Sequence, residues 1–440
     1  MLGVMLRACV IGAGSSGITV VKALRDAGVP FDCFEKSDRV GGNWVFGNKN
    51  GMSSAYRGLH INTSRDRMQY SDFPMPRSYP DFPHHSQIAE YFERYVDHFG
   101  IRSAITFETG VTHAELAADG RFRVRTDRGH DARYDALLVA NGHHWDPAWP
   151  DPPFPGELDG VVMHSHDYHS PDPLRGKRVL VLGMGNSAMD IACESSDVAE
   201  RTFLAARRGA HVIPTDRFGR PLDRIVTSAR VPFFVRRALG RGLYRLAVGD
   251  MTRYGLPRPD HELGQAHPTI SGRILDRLTH GAITPKPNIE RLAGDRVRFV
   301  DGSEERVDVV IYCTGYKVTF PFFDPAFVSA KDNDLPLFMR FFHPVYSRLM
   351  FVGLLQPLGA IMPIAEAQGR WAAKYLRGEY ALPSKAEIAR RMKAERDAMF
   401  ARYVRSKRHT MQVDFDDYLA ALEREVRAGQ RRARREARAS

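Results

Sequence analysis

The chain has 440 residues, of which 43% are hydrophobic and 26% are charged. This length predicts two or three domains, and the composition is that of a soluble globular protein without extensive disorder. The formal net charge is +11, but residues 201–250 carry +8 and the last ten residues carry +4. Because the rest of the chain is close to neutral, we do not expect a surface that binds nucleic acid.

The sequence contains no run of about 18 apolar residues, and its first residues lack the pattern of a secretory signal. We therefore expect no membrane-spanning helix and a cytoplasmic location. The four cysteines lie far apart and form no CxxC pair, which argues against a disulfide scaffold, a zinc site and a dithiol redox centre. These cysteines are Cys9, Cys33, Cys193 and Cys313.

A predicted strand, a glycine-rich turn, a helix and a second strand open the chain. The turn has the GxGxxG spacing, in which the glycines allow a tight turn, close approach of the backbone to a pyrophosphate, and close packing of helix on strand. The helix N-terminus then binds the phosphates, and an acidic residue at the end of the second strand accepts hydrogen bonds from a ribose. The residues predicted to bind this cofactor are Gly12, Gly14, Ser15, Ser16, Gly17 and Glu35.

The same plan returns at KRVLVLGMGNSAMD, where the spacing is GxGxxA. The strand that follows ends in Arg207 and Arg208, at the place that Glu35 has in the first copy. A carboxylate there suits a free 2′-hydroxyl, as in FAD or NAD, whereas arginine suits the 2′-phosphate of NADP. The alternative is that the two arginines only solvate the end of a strand. The predicted NADP-binding residues are Gly183, Gly185, Asn186, Ser187, Ala188, Arg207 and Arg208.

Each copy also closes in the same way, with a predicted hairpin and then an apolar strand that ends near Gly142 or Gly315. We therefore predict an α/β fold with two intertwined Rossmann-like dinucleotide-binding domains. The first domain is expected to be discontinuous, comprising residues 1–170 and a return over 321–440 that includes a basic helical tail. The second domain is expected to be inserted as residues 171–320.

The segment LDGVVMHSHDY, residues 158–168, resembles the identifying sequence of the flavin-containing monooxygenase family. That sequence runs Phe, any residue, Gly, three residues, His, three residues, aromatic. Gly160, His164 and Tyr168 match it, whereas Leu158 replaces the Phe. The Trp-Pro that ends the motif in the Baeyer–Villiger branch is absent, which favours the N- or S-oxygenating branch. The resemblance gives this segment a structural role near the NADP site.

Other segments resemble the family in the expected order, between about residue 6 and about residue 385. EKSDRVGGNW resembles the stretch that holds FAD and adds Gly42, Asn43 and Trp44 to the predicted FAD-binding residues. LHINTSRDRMQYSDFPMP resembles the segment that carries an asparagine beside the flavin, and Asn62 aligns with that asparagine. The resemblance thus assigns FAD to the discontinuous domain and NADP(H) to the inserted one.

The resemblance implies an activity in which NADPH reduces FAD and O₂ adds to give a C4a-hydroperoxyflavin. One oxygen atom then passes to a soft nucleophile, an amine nitrogen or sulfide sulfur as in N,N-dimethylaniline monooxygenases. We expect Asn62 to be the catalytic side chain, because a neutral amide stabilises a peroxide without offering a proton. The alternatives are that Asn62 only caps a turn, and that the scaffold inserts oxygen beside a ketone. A flavin disulfide reductase and a redox-sensing binding module are further alternatives.

Two basic segments have no place in this mechanism. VPFFVRRALGRGLYRLAV, residues 231–248, is apolar and basic at helical spacing. It either packs on the nucleotide domain, covers the substrate entrance, or rests on an anionic membrane surface. The tail QRRARREARAS is expected to be a solvated helix end or a disordered tip. A homodimer is left open by the sequence.

Overall fold

The structure is a computed structural model. It describes residues 6–217, 220–224, 233–402 and 410–439.

The described chain divides into two compact units, each built from more than one stretch of sequence. Unit 1 consists of the described residues within 1–53, 65–143 and 318–440. Unit 2 consists of the described residues within 54–64 and 144–317.

The α-helices of the described residues are α1 (Gly17–Asp26), α2 (Arg65–Met68), α3 (His85–His98), α4 (Asn186–Ser196), α5 (Phe233–Ala247), α6 (Ile274–Thr279), α7 (Met362–Leu376), α8 (Lys385–Arg402) and α9 (Phe415–Ala439). The strands of unit 1 and unit 2 follow in chain order as β1 (Ala8–Ile11), β2 (Phe31–Phe34), β3 (Ile105–Thr106), β4 (Val111–Leu116), β5 (Phe122–Thr126), β6 (Asp131–Tyr134), β7 (Ala136–Val139), β8 (Asp146–Pro147), β9 (Val161–His164), β10 (Arg178–Leu182), β11 (Arg201–Ala205), β12 (Val212–Ile213), β13 (Asp216–Arg217), β14 (Arg220–Pro221), β15 (Thr269–Ile270), β16 (Ile283–Lys286), β17 (Ile289–Ala293), β18 (Arg296–Phe299), β19 (Glu304–Arg306), β20 (Val309–Tyr312), β21 (Tyr316–Lys317), β22 (Leu349–Phe351), β23 (Gln356–Leu358) and β24 (Gln412–Asp414).

Unit 1 is built on a five-stranded sheet in the order β22-β7-β1-β2-β3. All neighbouring strands in it run parallel. Every residue of β1 and β7 is buried, as expected for central strands of a parallel sheet, which helices or loops cover on both faces. On α7, a Cβ placed on Gly369 would lie 3.1 Å from the Thr19 carbonyl oxygen of α1. The two helices therefore pack backbone to backbone.

Unit 2 repeats this plan with a parallel sheet in the order β16-β11-β10-β20-β9. In each unit an antiparallel three-stranded sheet comes just before a strand that pairs with the strand leading into the glycine-rich turn. That sheet is β4-β5-β6 before β7 in unit 1, and β17-β18-β19 before β20 in unit 2. The predicted α/β fold with two Rossmann-like units, the first discontinuous and the second inserted, is confirmed.

The predicted boundaries differ from the observed ones in two places. Residues 144–170 were expected in the first domain, but they belong to unit 2 because β9 pairs with β20 along Val161–His164. Residues 54–64 also belong to unit 2, although the stretches on both sides of them lie in unit 1. After His143 the chain leaves unit 1 and it returns at Val318, close to Gly142 and Gly315, near which the predicted closing strands of the two copies end.

The two basic segments are helical where the structure describes them. Residues 231–232 of the first segment lie outside the described residues, and residues 233–247 form α5, on which Leu239 is 60% and Leu246 is 88% exposed. In the tail, Ser440 lies outside the described residues, and residues 430–439 form the end of α9, with residues 434–439 exposed. A search of the described helices finds none with the length and apolar character needed to cross a membrane.

A buried carboxylate on α9 holds this helix against other parts of unit 1. Glu425 is 3% exposed, and its two oxygens accept hydrogen bonds from Tyr380, Arg391 and Arg432. The Tyr380 hydroxyl lies 2.8 Å from Glu425 Oε1, and Arg391 Nη1 lies 2.5 Å from Oε2. Because this carboxylate is buried, its removal leaves the buried Tyr380 hydroxyl and two half-buried guanidinium groups without their acceptor.

We expect Glu425→Ala to lower the free energy of unfolding by about 3 kcal/mol, since one member of a buried charge network is lost. Chemical denaturation monitored by circular dichroism measures this change. Glu423→Ala is the control, because Glu423 forms an exposed ion pair with Arg427 on the same helix and should cost less than about 1 kcal/mol. Equal losses in the two variants would contradict a stabilising role for the buried network.

Candidate functional site: two dinucleotide-binding turns

The first glycine-rich turn is fixed by backbone contacts that leave no room for side chains. Gly12 has a φ of +95°, and a Cβ on it would lie 2.7 Å from the Ala140 carbonyl oxygen. A Cβ on Gly17 would lie 1.9 Å from the Gly12 carbonyl oxygen. The start of α1 is therefore pressed against the end of β1, as the spacing predicts.

The N-terminus of α1 is open to a ligand. The residue that precedes the helix, Ser16, makes no side-chain capping hydrogen bond, and Ser15 and Ser16 are both half-buried. A Cβ on Gly14 would lie 3.7 Å from Gly42 Cα. A side chain at position 14 would thus enter the space between the glycine-rich turn and the segment at Gly42. Glycine keeps this space available for phosphate groups.

The carboxylate of Glu35 is held against the glycine-rich turn by backbone hydrogen bonds. Glu35 is 5% exposed and accepts hydrogen bonds from the backbone N–H groups of Ala13, at 2.6 Å, and Ser37, at 2.7 Å. Burial raises the pKa of Glu35, and backbone donors at Ala13, Ser37 and Lys36 act against that rise. A carboxylate has about four acceptor positions, so acceptor capacity remains for a hydroxyl group of a ribose.

The predicted Gly42, Asn43 and Trp44 form a single 3₁₀ turn beside the first turn. The Gly41 N–H donates to the Ala13 carbonyl at 3.2 Å, which joins this segment to the glycine-rich turn. The Ser53 hydroxyl donates to the Asn43 carbonyl at 2.8 Å. All three predicted residues are half-buried, so they line this side of the turn and still have accessible surface.

Two residues that the sequence analysis missed also hold the first turn. The buried Tyr70 hydroxyl donates to the Ser15 carbonyl at 2.6 Å. A Cβ on Gly353, just after β22, would lie 2.2 Å from the Ser16 hydroxyl oxygen. Neither position belongs to the GxGxxG spacing, so only three-dimensional proximity reveals their contribution.

The second turn repeats this geometry in unit 2. Gly183 has a φ of +147°, and a Cβ on it would lie 2.7 Å from the Cys313 carbonyl oxygen after β20. Gly185 precedes α4 and provides no side-chain cap, and Ala188 is fully buried. The Asn186 side chain accepts a hydrogen bond from the Ile270 N–H at 2.9 Å. Ser187, in the first turn of α4, is half-buried.

Arg207 and Arg208 follow β11 and are both exposed. Arg208 Nε lies 3.8 Å from Asp260 Oδ2, and this carboxylate also contacts His261, whose Nδ1 lies 2.9 Å from Oδ1. The contact with His261, together with nearby Arg208, lowers the pKa of Asp260. Arg207 has no ion pair or side-chain hydrogen bond with any other described residue. Both guanidinium groups therefore stay close to solvent at the strand end where the sequence predicts a 2′-phosphate.

Asn62 is placed in unit 2, with the second turn, and not in unit 1 with the first. It is half-buried between Ile61 and Thr63, which are both buried. The structure thus brings together the predicted residues of each turn, and it groups Asn62 with those of the second.

The segment 158–168 has a structural role in unit 2. Leu158 packs against one hydrophobic cluster of the unit, and a Cβ on Gly160 would lie 2.1 Å from the Asp308 carbonyl oxygen. The Tyr168 hydroxyl donates to Glu194 Oε2 of α4 at 2.6 Å. The segment is therefore held to the sheet by Gly160 and to α4 by Tyr168.

His164, in the same segment, is a buried neutral residue. It is 0% exposed, and its Nδ1 accepts a hydrogen bond from the His166 N–H at 3.0 Å. Desolvation, with a smaller contribution from nearby His166, lowers the pKa of His164 to about 4. A histidine held neutral in this way cannot donate a proton efficiently at neutral pH, which agrees with a structural role.

A family model described as flavin-binding monooxygenase-like matches residues 5–431. The chain belongs to this family. The predicted family membership is thus confirmed, and the chain is an FAD-containing, NADPH-dependent monooxygenase, an oxidoreductase whose cofactors are FAD and NADP(H). The open helix N-termini and the glycine-rich turns fit dinucleotides of this kind.

Two relatives and one solved structure illustrate how similar this chain is to known members of the family. Flavin-containing monooxygenase 5 of Rattus norvegicus is 38% identical over 94% of this chain and 82% of its own length. Dimethylaniline monooxygenase (N-oxide-forming) 2 of Macaca mulatta is 33% identical over 96% of this chain and 83% of its own length. The structure of S-allyl-L-cysteine S-oxygenase from Allium sativum has a TM-score of 0.73 and 25% identity, covering 96% of this chain and 89% of that one.

Cyclohexanone monooxygenase from Rhodococcus sp. Phi1 bound to NADP⁺ shares the same fold. Its TM-score is 0.72 at 18% identity, and the match covers 97% of this chain and 98% of that one. At this level of identity the similarity concerns the fold alone.

We expect the stability of the protein to decrease as pH falls from 6.5 towards 4, because His164 must be neutral in the folded state. Its folded-state pKa is below the ordinary value, so the unfolded chain binds more protons in this range. His164→Asn keeps an acceptor for the His166 N–H and should make the unfolding free energy less dependent on pH. Urea denaturation at several pH values measures this slope. His280→Asn, at an exposed position, is the control, and an unchanged slope in His164→Asn would contradict the assignment.

Proposed function

We propose that unit 1 holds FAD at the first turn and that unit 2 holds NADP(H) at the second. The observation that carries this assignment is the difference between the side chains at the ends of β2 and β11. The buried carboxylate of Glu35 suits ribose hydroxyls, and the exposed guanidinium groups of Arg207 and Arg208 suit a 2′-phosphate. The FAD-holding residues are Gly12, Gly14, Ser15, Ser16, Gly17, Glu35, Gly42, Asn43 and Trp44, and the NADP(H)-holding residues are Gly183, Gly185, Asn186, Ser187, Ala188, Arg207 and Arg208.

The protein supplies binding and orientation, and the cofactor supplies the redox chemistry. When bound, FAD would supply the redox chemistry, in which two electrons from NADPH and one molecule of O₂ oxygenate the substrate and the second oxygen atom is reduced to water. The N-terminal N–H groups of α1 and α4 bind phosphate oxygens, and the Glu35 carboxylate orients a ribose.

Asn62 is the side chain that we assign to the reacting atoms, near the flavin and the nicotinamide. Its amide donates and accepts hydrogen bonds but has no acidic proton. It therefore stabilises negative charge on oxygen without delivering the proton that would release H₂O₂. This role makes the yield of product per NADPH, and not the rate of NADPH oxidation, the quantity that depends on Asn62.

The oxygen acceptor is an amine nitrogen or a sulfide sulfur of a small molecule. Two relatives support this assignment, because one is named for N-oxide formation and a structural neighbour is an S-oxygenase. The sequence supports it as well, since Tyr168-His169 stands where the Baeyer–Villiger branch has Trp-Pro. N,N-dimethylaniline and a methyl aryl sulfide are therefore the first probe substrates. A cytoplasmic location stays a prediction of the sequence, whereas a homodimer and a contact of residues 231–248 with membranes stay open alternatives.

We expect Asn62→Ala to oxidise NADPH at nearly the normal rate while the yield of oxygenated product falls by about tenfold or more, the scale on which loss of one aligned donor acts. H₂O₂ should rise in proportion. Oxygen consumption, H₂O₂ and N-oxide are measured together, with N,N-dimethylaniline as substrate. Asn62→Asp should uncouple the reaction similarly, because its negative charge repels charge on oxygen.

Asn288→Ala, which removes an amide from the link between β16 and β17 of unit 2, should leave the product yield unchanged. Normal product yield in both Asn62 variants would remove this residue from the mechanism. Formation of an ester or lactone from ketones, with no N-oxide or sulfoxide, would instead overturn the assigned acceptor.

We expect Arg208→Ala to weaken NADPH binding by about tenfold and to leave NADH binding nearly unchanged, because only NADPH carries the 2′-phosphate. Asp260→Asn should have the opposite effect, since it removes a negative charge that competes with the phosphate for Arg208. The half-saturating concentration of each nucleotide in anaerobic flavin reduction measures both effects. The difference between the nucleotides should shrink at high salt, because these groups are exposed to solvent. Equal weakening of NADPH and NADH by Arg208→Ala would contradict a 2′-phosphate contact.

A further inference from the structure

Residues 54–64, here called the strap, carry Asn62 and contain no helix or extended strand. The strap belongs to unit 2, whereas the residues before and after it belong to unit 1. Because it has no helix or strand of its own, contacts with other segments of unit 2 help to fix its position.

One end of the strap is fastened to α4. The Tyr56 hydroxyl donates to Asp190 Oδ2 at 2.5 Å, and the Tyr56 ring is 4% exposed within the hydrophobic core of unit 2. Asp190 lies on the second turn of α4, four residues after Asn186, which begins the helix. Desolvation raises the pKa of Asp190 to about 6, and the hydrogen bond from Tyr56 opposes this rise.

The middle and the far end of the strap are fastened as well. The Arg57 N–H donates to the His169 carbonyl at 2.8 Å, and Leu59 packs against the same core as Tyr56. The Ser64 N–H donates to Asp223 Oδ2 at 2.7 Å. Asn62 lies between Leu59 and Ser64, so attachments on both sides determine where its amide is held.

We propose that Tyr56 and Asp190 are positioning residues, which hold the strap so that the Asn62 amide keeps one place relative to the N-terminus of α4. This inference rests on the proposed function, in which Asn62 determines the product yield and the α4 N-terminus binds NADP(H). Tyr56 is the anchor whose side chain connects the strap to the helix itself. Loosening this anchor changes the position of the amide while leaving the amide present.

The test uses the FAD-loaded enzyme with N,N-dimethylaniline. Tyr56→Phe keeps the buried ring but removes the donor to Asp190. We expect product per NADPH to fall about fivefold, the equilibrium change that accompanies loss of one ordinary hydrogen bond. NADPH oxidation should continue, and the affinity for NADP⁺ should change by less than about twofold, because the N–H groups of α4 are untouched.

Two Asp190 variants separate positioning from packing. Asp190→Asn retains a carbonyl oxygen that accepts from Tyr56 and should preserve most of the yield, whereas Asp190→Leu should lower it as Tyr56→Phe does. Tyr134→Phe is the matched control, since Tyr134 is a buried tyrosine of unit 1 that donates to Asp32 at 2.5 Å. It should cost comparable thermal stability and leave the yield unchanged.

A double variant tests whether Tyr56 acts through Asn62. If it does, Tyr56→Phe combined with Asn62→Ala should give the same yield as Asn62→Ala alone, because the two changes are not additive. Normal yield in Tyr56→Phe beside a low yield in Asn62→Ala would overturn this inference and leave the proposed function standing. Normal yield in Asn62→Ala would overturn both. Equal loss of yield in Tyr56→Phe and Tyr134→Phe would show a general effect of destabilisation and would also overturn the inference.

Discussion

One close backbone contact in each unit is the constraint on which the nucleotide sites depend. A helix N-terminus binds phosphate only if it starts at the carboxyl end of a strand, with its N–H groups unobstructed. In unit 1 this requires the start of α1 to press against Gly12, so that a Cβ on Gly17 would lie 1.9 Å from the Gly12 carbonyl oxygen. In unit 2 the close contact is made by the residue after β20, since a Cβ on Gly183 would lie 2.7 Å from the Cys313 carbonyl oxygen. A substitution that disturbs the turn therefore also disturbs the packing of the helix on the sheet and the phosphate site.

The two sites differ in how their charges are solvated. Glu35 is buried, and backbone N–H groups offset part of the cost of removing its charge from water. Arg207 and Arg208 stay exposed, so no desolvation has to be offset before a ligand arrives. Under the proposed assignment, the preorganised buried site holds the cofactor that remains bound through the reaction. The solvated site holds the nucleotide that must bind and leave in each cycle.

Short sequence motifs predicted the elements whose residues lie close together in the chain. The GxGxxG and GxGxxA turns, the hairpins and the second strands all lie within short stretches of sequence, and the structure has them where they were expected. The outer strand β22 and the Tyr70 contact with Ser15 depend on pairing between distant segments. The internal repeat carried the prediction that the chain returns to the first domain. It could not name Tyr70, because nothing about a buried tyrosine in a loop specifies which carbonyl it contacts.

The boundary of the inserted unit is a second feature that depends on contacts between distant segments. Residues 54–64 have no periodicity that assigns them to either unit, and the contacts that do so, such as that between Tyr56 and Asp190, join residues far apart in the sequence. Glu194 lies four residues after Asp190 on the same face of α4, and there it accepts the hydroxyl of Tyr168. The strap and the family signature are thus attached side by side to one helix through two tyrosine–carboxylate bonds. Because the N-terminus of that helix is the site proposed for NADP(H), the signature stabilises the helix that carries the reaction's cosubstrate, and the strap holds Asn62 to the same helix.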